Sequence, residues 1–186
     1  MTHATADPVL VAILAAATQA VGAHGGLMLR IEDRLLRVVA TAGGVPRDVL
    51  HEPISAGEGV AGYVAASGQP LVLSADSADP RLGEGTASLL GHNPESVLAV
   101  PVEGQGRMLG VIELIDAVDA DFGVEDTEQA MLHAAVAAVA LADPRLLGTP
   151  DVPDPAELAA ELRRLENADP ARYATVATIL TALVSS

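Results

Sequence analysis

The sequence predicts an α+β fold in which an antiparallel sheet is flanked by helices. Two patterns indicate it: the apolar segments follow the order α β β α β and then, after a loop, β β α, and most neighbouring strands are joined by hairpin turns. A doubly wound parallel sheet would need a helix between most strand pairs, and that pattern is missing. Of the 186 residues, 50% are hydrophobic, so the chain can bury a sizeable core.

The first helix and the first hairpin occupy the start of the chain. Asp7 as the N-cap and Pro8 as the first helical residue predict an apolar helix that ends near Gly22. Residues 26–32 and 34–42 are predicted to be two strands joined by a tight turn. The alternating positions of the second strand, which should share one face, are Leu36, Val38 and Ala40.

A short helix and three more strands are predicted next. Val60–Ser67 should form the helix, because Gly68 can close it, and residues 70–75 should form a strand. Residues 76–95, rich in Asp, Gly, Ser and Pro, are predicted to be a loop. Residues 96–116 form a hairpin whose nearly continuous apolar character indicates that both faces of the sheet are covered.

The remainder of the chain is predicted to be helical. A long helix should run from about Glu125 to Ala142, and a cluster of prolines then marks a linker. Two amphipathic helices follow the linker. The predicted domains are a first unit at 1–142, a proline-rich linker at 143–155 and a helical extension at 156–186.

Composition excludes several functional classes. Ten basic residues against 25 acidic ones give a net charge of −15, so we expect no binding to nucleic acid. The longest apolar run, Ala134–Ala142, is about half of what a bilayer requires, and the N-terminus lacks the basic segment of a signal peptide. We therefore expect a cytoplasmic protein without a membrane partner.

Cysteine is absent, which excludes thiolate chemistry and zinc–thiolate sites.

Residues 57–62 spell GEGVAG, the GxGxxG pattern of dinucleotide-binding sites. That chemistry needs a buried strand before the motif and an acid about 20 residues later to hold the ribose. Here Pro53 interrupts the preceding segment, and the next acids, Asp76 and Asp79, lie in the predicted loop. We favour a glycine-rich helix start with a packing role. The five histidines show no metal-ligand spacing, and no hydrolase serine motif is present, so neither a metal site nor a catalytic site is predicted.

An ordered series of motifs resembles the GAF domain family. The resemblance covers about residues 7–142 and is most specific over 54–142. The motifs, in chain order, are GEGVAGYVAASGQPLVLSADSADPRL, SVLAVPV, LGVIELID and Phe122-Gly-Val-Glu-Asp126.

The resemblance implies a six-stranded antiparallel sheet with the first and last helices on one face. It places a ligand pocket on the other face, roofed by the segment after the Gly-Gln-Pro strand. It also implies a regulatory role, since GAF domains bind small molecules and signal to an output domain, often as dimers through their terminal helices.

Departures from known GAF subtypes reduce the range of ligands that this chain is expected to bind. Where cyclic-nucleotide-binding relatives have Asn-Lys after the last strand, this chain has Asp116-Ala117. Relatives that attach bilin and those that reduce free methionine sulfoxide use cysteine, which this chain lacks. Haem stays open as a ligand, although no histidine matches, and the cofactor is unknown.

Three functional hypotheses follow from these observations. The first is a non-catalytic, small-molecule-sensing regulatory module that signals through dimerisation or a separate effector protein. The second is a protein–protein interaction or scaffold domain whose pocket is filled by its own side chains. The third, an enzyme, rests only on undiagnosed polar residues in the loop. We also expect a homodimer, because the first and last helices of the unit carry more apolar surface than one sheet face covers.

The candidate ligand anchors are polar residues on or beside the predicted pocket face. They are Ser74, Asp76, Arg81, His92, Asn93, Ser96 and Glu113. If Arg81 faces the pocket, it favours an anionic ligand; alternatively, it is a surface arginine that pairs with a nearby acid.

Overall fold

Six strands form one sheet in this structure. The strands are β1 (Ala23–Glu32), β2 (Leu35–Gly43), β3 (Pro53–Ser55), β4 (Leu71–Ser74), β5 (Ser96–Gly104) and β6 (Arg107–Ala117). Their order is β3-β2-β1-β6-β5-β4, so the hairpin of β5 and β6 lies in one half of the sheet, and every neighbouring pair is antiparallel. The predicted α+β class is confirmed, as is the six-stranded sheet that the resemblance implied.

The computed structural model describes residues 6–119, 121–142, 155–168, 170, 173, 174 and 176. The chain divides into two compact units, Met1–Leu147 and Gly148–Ser186. The helices of the first unit are α1 (Pro8–Ala20), α2 (Gly59–Ser67), α3 (Thr86–Leu90) and α4 (Val124–Leu141). The second unit contains α5 (Pro155–Ala168).

Local chemistry sets the helix ends that the sequence predicted. The Asp7 carboxylate accepts hydrogen bonds from the backbone N–H groups of Val9 at 2.7 Å and Leu10 at 3.4 Å, so it caps α1. Gly68 closes α2 in the left-handed conformation, with φ of 66°. The carboxylate of Asp126 accepts from the backbone N–H of Gly123 at 2.7 Å and stabilises the start of α4.

The sheet separates two apolar clusters. The first cluster joins α1 and α4 to one face and includes Leu14, Met28, Ile112 and Ala134. The second cluster packs α2 and the segment before α3 onto the other face. Its members include Leu27, Leu29, Val60, Val64, Leu82 and Val111. The terminal helices of the domain therefore cover one face only, as the resemblance implied.

The structure differs from the sequence prediction along β2. A register shift between Met28 and Leu29 on the neighbouring β1 changes the pairing of the two strands. Leu36 and Val38 belong to the second cluster, whereas Ala40 belongs to the first. The prediction that these three residues share one face is therefore wrong, because it assumed an uninterrupted alternation.

Residues 76–95 are more ordered than the predicted loop. They contain 3-10 turns at Ala75–Ser77 and Pro80–Gly83 and the short helix α3. The third strand, β3, begins at Pro53 and lies at the edge of the sheet, where proline is tolerated because no ladder donor is needed.

The C-terminal region is described in part. The helix α5 confirms the first of the two predicted tail helices. The predicted linker lies outside the described residues up to position 154, and most of the second tail helix also lies outside them. Among the residues that the structure describes, no helix is both long and apolar enough to span a bilayer.

Candidate functional site

A carboxyl group lies inside the second apolar cluster. Glu113 is in the middle of β6 and only 2% exposed. Alternation along the strand points its side chain to the same face as Val111 and Ile115. Its register partners, Leu27 on β1 and Ala99 on β5, are fully buried and apolar. Among the described residues, Glu113 is the one ionisable residue that is buried.

A hydrogen bond connects Glu113 to α3. The hydroxyl of Thr86, the first residue of that helix, donates to Oε2 of Glu113, and Thr86 is itself buried. Glycines in the left-handed region flank α3 on both sides, with φ of 60° at Gly85 and 75° at Gly91. The helix α3 thus covers the carboxyl and is attached to it through one side chain.

Burial raises the pKa of Glu113 to about 7, and the Thr86 hydroxyl acts in the opposite direction by stabilising the charged form. The carboxyl group is therefore divided between its neutral and charged forms near neutral pH. In an apolar layer the charged form is costly unless it is paired, so a group that offers a positive charge would stabilise it.

The glycines of the GEGVAG motif make close backbone contacts. A Cβ atom on Gly62 would lie 2.5 Å from the carbonyl carbon of Gly57. A Cβ atom on Gly59 would lie 2.7 Å from the carbonyl oxygen of Glu84, just before Gly85. The motif therefore lets the start of α2 pack against the segment that leads into α3, which agrees with the packing role favoured from the sequence.

The comparison with known families decides the identity of the first unit. A sequence model of the GAF domain family matches residues 3–142. This chain belongs to the GAF domain family. The resemblance noted from its motifs is thereby confirmed.

Solved structures share this fold. The GAF-B domain of DevS from Mycobacterium smegmatis is 24% identical, with a TM-score of 0.56 over 86% of this chain and 99% of that domain. The GAF domain of an Acinetobacter phosphoenolpyruvate-protein phosphotransferase is 16% identical, with a TM-score of 0.63 over 75% of this chain and 83% of that one. The free methionine-R-sulfoxide reductase of Neisseria meningitidis, solved with its substrate, is 20% identical, with a TM-score of 0.57 over 71% and 75%. At these identities the likeness concerns the fold.

Among curated proteins, the chain is similar to the probable 3',5'-cyclic phosphodiesterase pde-5 of Caenorhabditis elegans. The two are 27% identical over 84 residues. The matched region is 45% of this chain, and it spans only 12% of the length of the nematode protein.

In this GAF domain Arg81 lies at the surface. Its Nε and Nη2 atoms donate to the two carboxylate oxygens of Asp79 at 2.9 and 2.6 Å, and its guanidinium lies 4.5 Å from the ring centroid of Tyr63. The Arg81 hydrogen bonds lower the pKa of Asp79 to about 2. Of the two sequence interpretations of Arg81, the geometry agrees with a surface arginine paired with an acid. The expectation of an anionic ligand stays a prediction.

Two of the other candidates take part in the backbone network near β5. Ser96 is buried, and its hydroxyl oxygen accepts a hydrogen bond from the backbone N–H of Ala117 at 2.9 Å. The carbonyl oxygen of Ser74 accepts from the Ser77 hydroxyl at 2.6 Å. The first contact joins the ends of β5 and β6, and the second closes the turn after β4; Ser74 and Ser96 are also register partners between β4 and β5.

The last three candidates lie at the surface. Asp76, His92 and Asn93 are exposed, and Nδ1 of His92 lies 3.2 Å from the carbonyl oxygen of Leu90. Asn93 lines an open cleft of about 370 Å³. The cleft is formed by Ala75, Ala78, Asp79, Pro80, Leu82, Gly83, Asn93, Pro94 and Glu95. The seven candidates are therefore not brought together at one place.

Sequence reasoning found Glu113 but missed Thr86. Thr86 lies in a segment predicted to be a loop, and its partner lies 27 residues further along the chain. The available signal was its position directly after Gly85, since a threonine that follows a turn glycine can begin a short helix. Within the part of the chain that the structure describes, no three acidic or histidine side chains come close enough to hold a metal ion.

A second surface feature lies on the outer face of α4. Leu132, Val136 and Val139 are 62%, 56% and 77% exposed and follow helical spacing, so they form an apolar stripe. An open groove of about 570 Å³ lies between this end of α4 and the turn after β5. Its lining residues are Glu103, Gly104, Gln105, Ala135, Ala138, Val139 and Ala142.

Proposed function

We propose that this GAF domain is a non-catalytic sensor that binds a small molecule between the sheet and α3. The observation that carries the proposal is the buried carboxyl of Glu113. Desolvating it lowers the stability of the fold, whereas an apolar residue at the same position would add to the second cluster. A polar group held in an apolar layer, with one hydrogen-bond partner, is suited to anchor a ligand.

The surroundings of Glu113 favour binding over catalysis. Burial and the Thr86 hydroxyl are the two influences on its pKa, so among the described residues no second titratable group acts on it. A general acid or base must lie within hydrogen-bonding reach of a substrate proton, whereas Glu113 is buried and its Oε2 accepts from Thr86. The chain also has no cysteine that could serve as a nucleophile.

The signal would leave the domain through its helical face. The apolar stripe on α4 is suited to pair with a second copy, and we propose a homodimer that passes the ligand-dependent change to a separate effector protein. Both α4 and the ligand face contact β5 and β6, so a change beneath α3 can reach the stripe through the sheet.

Native mass spectrometry tests the proposal. The full chain is incubated with a small-molecule extract of the organism that encodes it, desalted and weighed. We expect a stoichiometric adduct on the wild type that Glu113→Gln loses. Glu103→Gln, which makes the same charge change at an exposed position of β5, should keep it. Absence of any adduct on the wild type would count against sensing.

The second candidate function is an interaction domain with a filled pocket. It is favoured by the second cluster itself, in which side chains of α2 and of the segment before α3 already pack on the sheet. This alternative predicts that the wild type carries no adduct and that it retains a protein partner regardless of Glu113.

A further inference from the structure

The chemistry of the buried face limits the class of ligand. We propose that the ligand presents a protonated nitrogen, in an amine, amidine or guanidine group, and that it replaces the Thr86 hydroxyl on Glu113 as α3 moves aside. This inference rests on the proposed sensing function.

Charge at the site favours a cation. Glu113 is the one ionisable group that is buried among the described residues, and the guanidinium of Arg81, in the same segment as α3, already pairs with Asp79. An anionic ligand placed beneath α3 would meet a carboxylate without a compensating cation. A cationic donor would instead form a charge-assisted hydrogen bond in surroundings that exclude water. The net charge of −15 also attracts cations to the domain.

The attachment of α3 provides a route to the carboxyl. The Gly85 end of the helix is packed, since a Cβ atom there would lie 3.1 Å from the carbonyl oxygen of Glu58. The Gly91 end is open, because a Cβ atom there would have no neighbour within 4 Å. The helix can therefore lift at its Gly91 end, which takes Leu89 and Leu90 off the second cluster, and rotation of the Thr86 side chain then frees Oε2 of Glu113.

The Thr86 hydroxyl and the ligand compete for one carboxylate oxygen, and this competition gives opposite expectations for two variants. Removing the carboxylate removes the ligand's partner. Removing only the hydroxyl with Thr86→Val weakens the closed arrangement without touching that partner, so the ligand should bind more tightly. A side chain that merely supported the fold would weaken binding in both cases.

Benzamidine is the probe, and benzoate is its anionic counterpart of the same shape. Binding of each to the full chain at pH 8 is measured by isothermal titration calorimetry. We expect benzamidine to bind and benzoate not to bind. Glu113→Gln should weaken benzamidine binding by about tenfold or more, and Thr86→Val should strengthen it severalfold. Thr86→Ser, which keeps the hydroxyl, and Glu103→Gln should resemble the wild type.

The remaining outcomes separate the two proposals. Benzoate binding that depends on the segment around α3, or benzamidine binding that Glu113→Gln leaves intact, overturns the cationic class and leaves sensing in place. A failure of benzamidine to bind also overturns the class, and the adduct experiment then decides on sensing independently. Equal weakening in Glu113→Gln and Thr86→Val overturns the competition between hydroxyl and ligand.

Discussion

The hydroxyl of Thr86 donates a hydrogen bond to Oε2 of Glu113 and so joins the first residue of α3 to the middle of the sheet. Both residues are buried, and apolar side chains of the second cluster surround them. This polar contact therefore joins the segment that covers Glu113 to the sheet, in addition to the apolar packing of the second cluster.

The stability of the domain should fall as pH rises through the titration range of Glu113. The group has a pKa of about 7 in the folded chain against an ordinary value of 4.5, so between these values the folded state binds more protons than the unfolded state. The contribution of protonated Glu113 to the free energy of unfolding is complete below pH 4.5 and lost above about pH 7. The change is on the order of 3 kcal/mol. Urea unfolding from pH 4 to 8 should show this decline relative to Glu113→Gln. Parallel curves for the two proteins would contradict the burial argument.

Alanine at Gly62 should destabilise the fold, because the glycine of the GEGVAG motif has a packing role. Its Cβ atom would lie 2.5–2.7 Å from the backbone of Gly57, so the start of α2 must shift, at a cost of about 1–3 kcal/mol. Gly44→Ala is the matched control, since its Cβ atom would lie 3.6 Å from the nearest atom and the change should stay within about 0.5 kcal/mol. Chemical denaturation measures both. Equal stability of the two variants would refute the packing role of the motif.

Arg81→Ala should leave ligand binding intact. Its guanidinium contacts Asp79 and the Tyr63 ring, and an ion pair that is only partly buried contributes little to stability. We expect a small change in the midpoint of thermal unfolding and an undiminished ligand adduct in native mass spectrometry. Loss of the adduct in a folded Arg81→Ala protein would contradict this prediction and show that Arg81 takes part in ligand binding.

Glutamate at Val136 should disrupt the proposed homodimer. The residue is 56% exposed in the centre of the apolar stripe on α4, where a buried charge would oppose pairing. Light scattering at micromolar concentration should give twice the 18.9 kDa chain mass for the wild type and the single mass for Val136→Glu. Ala66→Glu adds the same charge at an exposed position of α2 and should remain dimeric. A monomeric wild type would contradict the dimer directly.

Local signals explain which parts of the fold were predictable. The cap at Asp7, the closure of α2 at Gly68 and the hairpin of β5 and β6 each depend on residues that are near in sequence. The number of strands was predicted from the resemblance to a family, because the edge strand that begins at Pro53 is too short to show an alternating pattern in the sequence.

Contacts between segments that are distant along the chain could not be predicted from the sequence. The register shift at Met28 and Leu29 moves Ala40 to the other face, and no residue type marks it in advance. The covering of Glu113 by Thr86 depends on how residues 80–90 fold over the sheet, so only one half of the pair was among the predicted anchors. The surface position of Arg81 depends in the same way on the local turn that begins at Asp79.

The crystal structure of the chain with the adduct retained in native mass spectrometry tests the central claim most directly. The account predicts density for a small molecule beneath α3, with a ligand nitrogen within hydrogen-bonding distance of the Glu113 carboxylate and the Thr86 hydroxyl no longer on Oε2. An adduct bound elsewhere, with the contact between Thr86 and Glu113 intact, would contradict it.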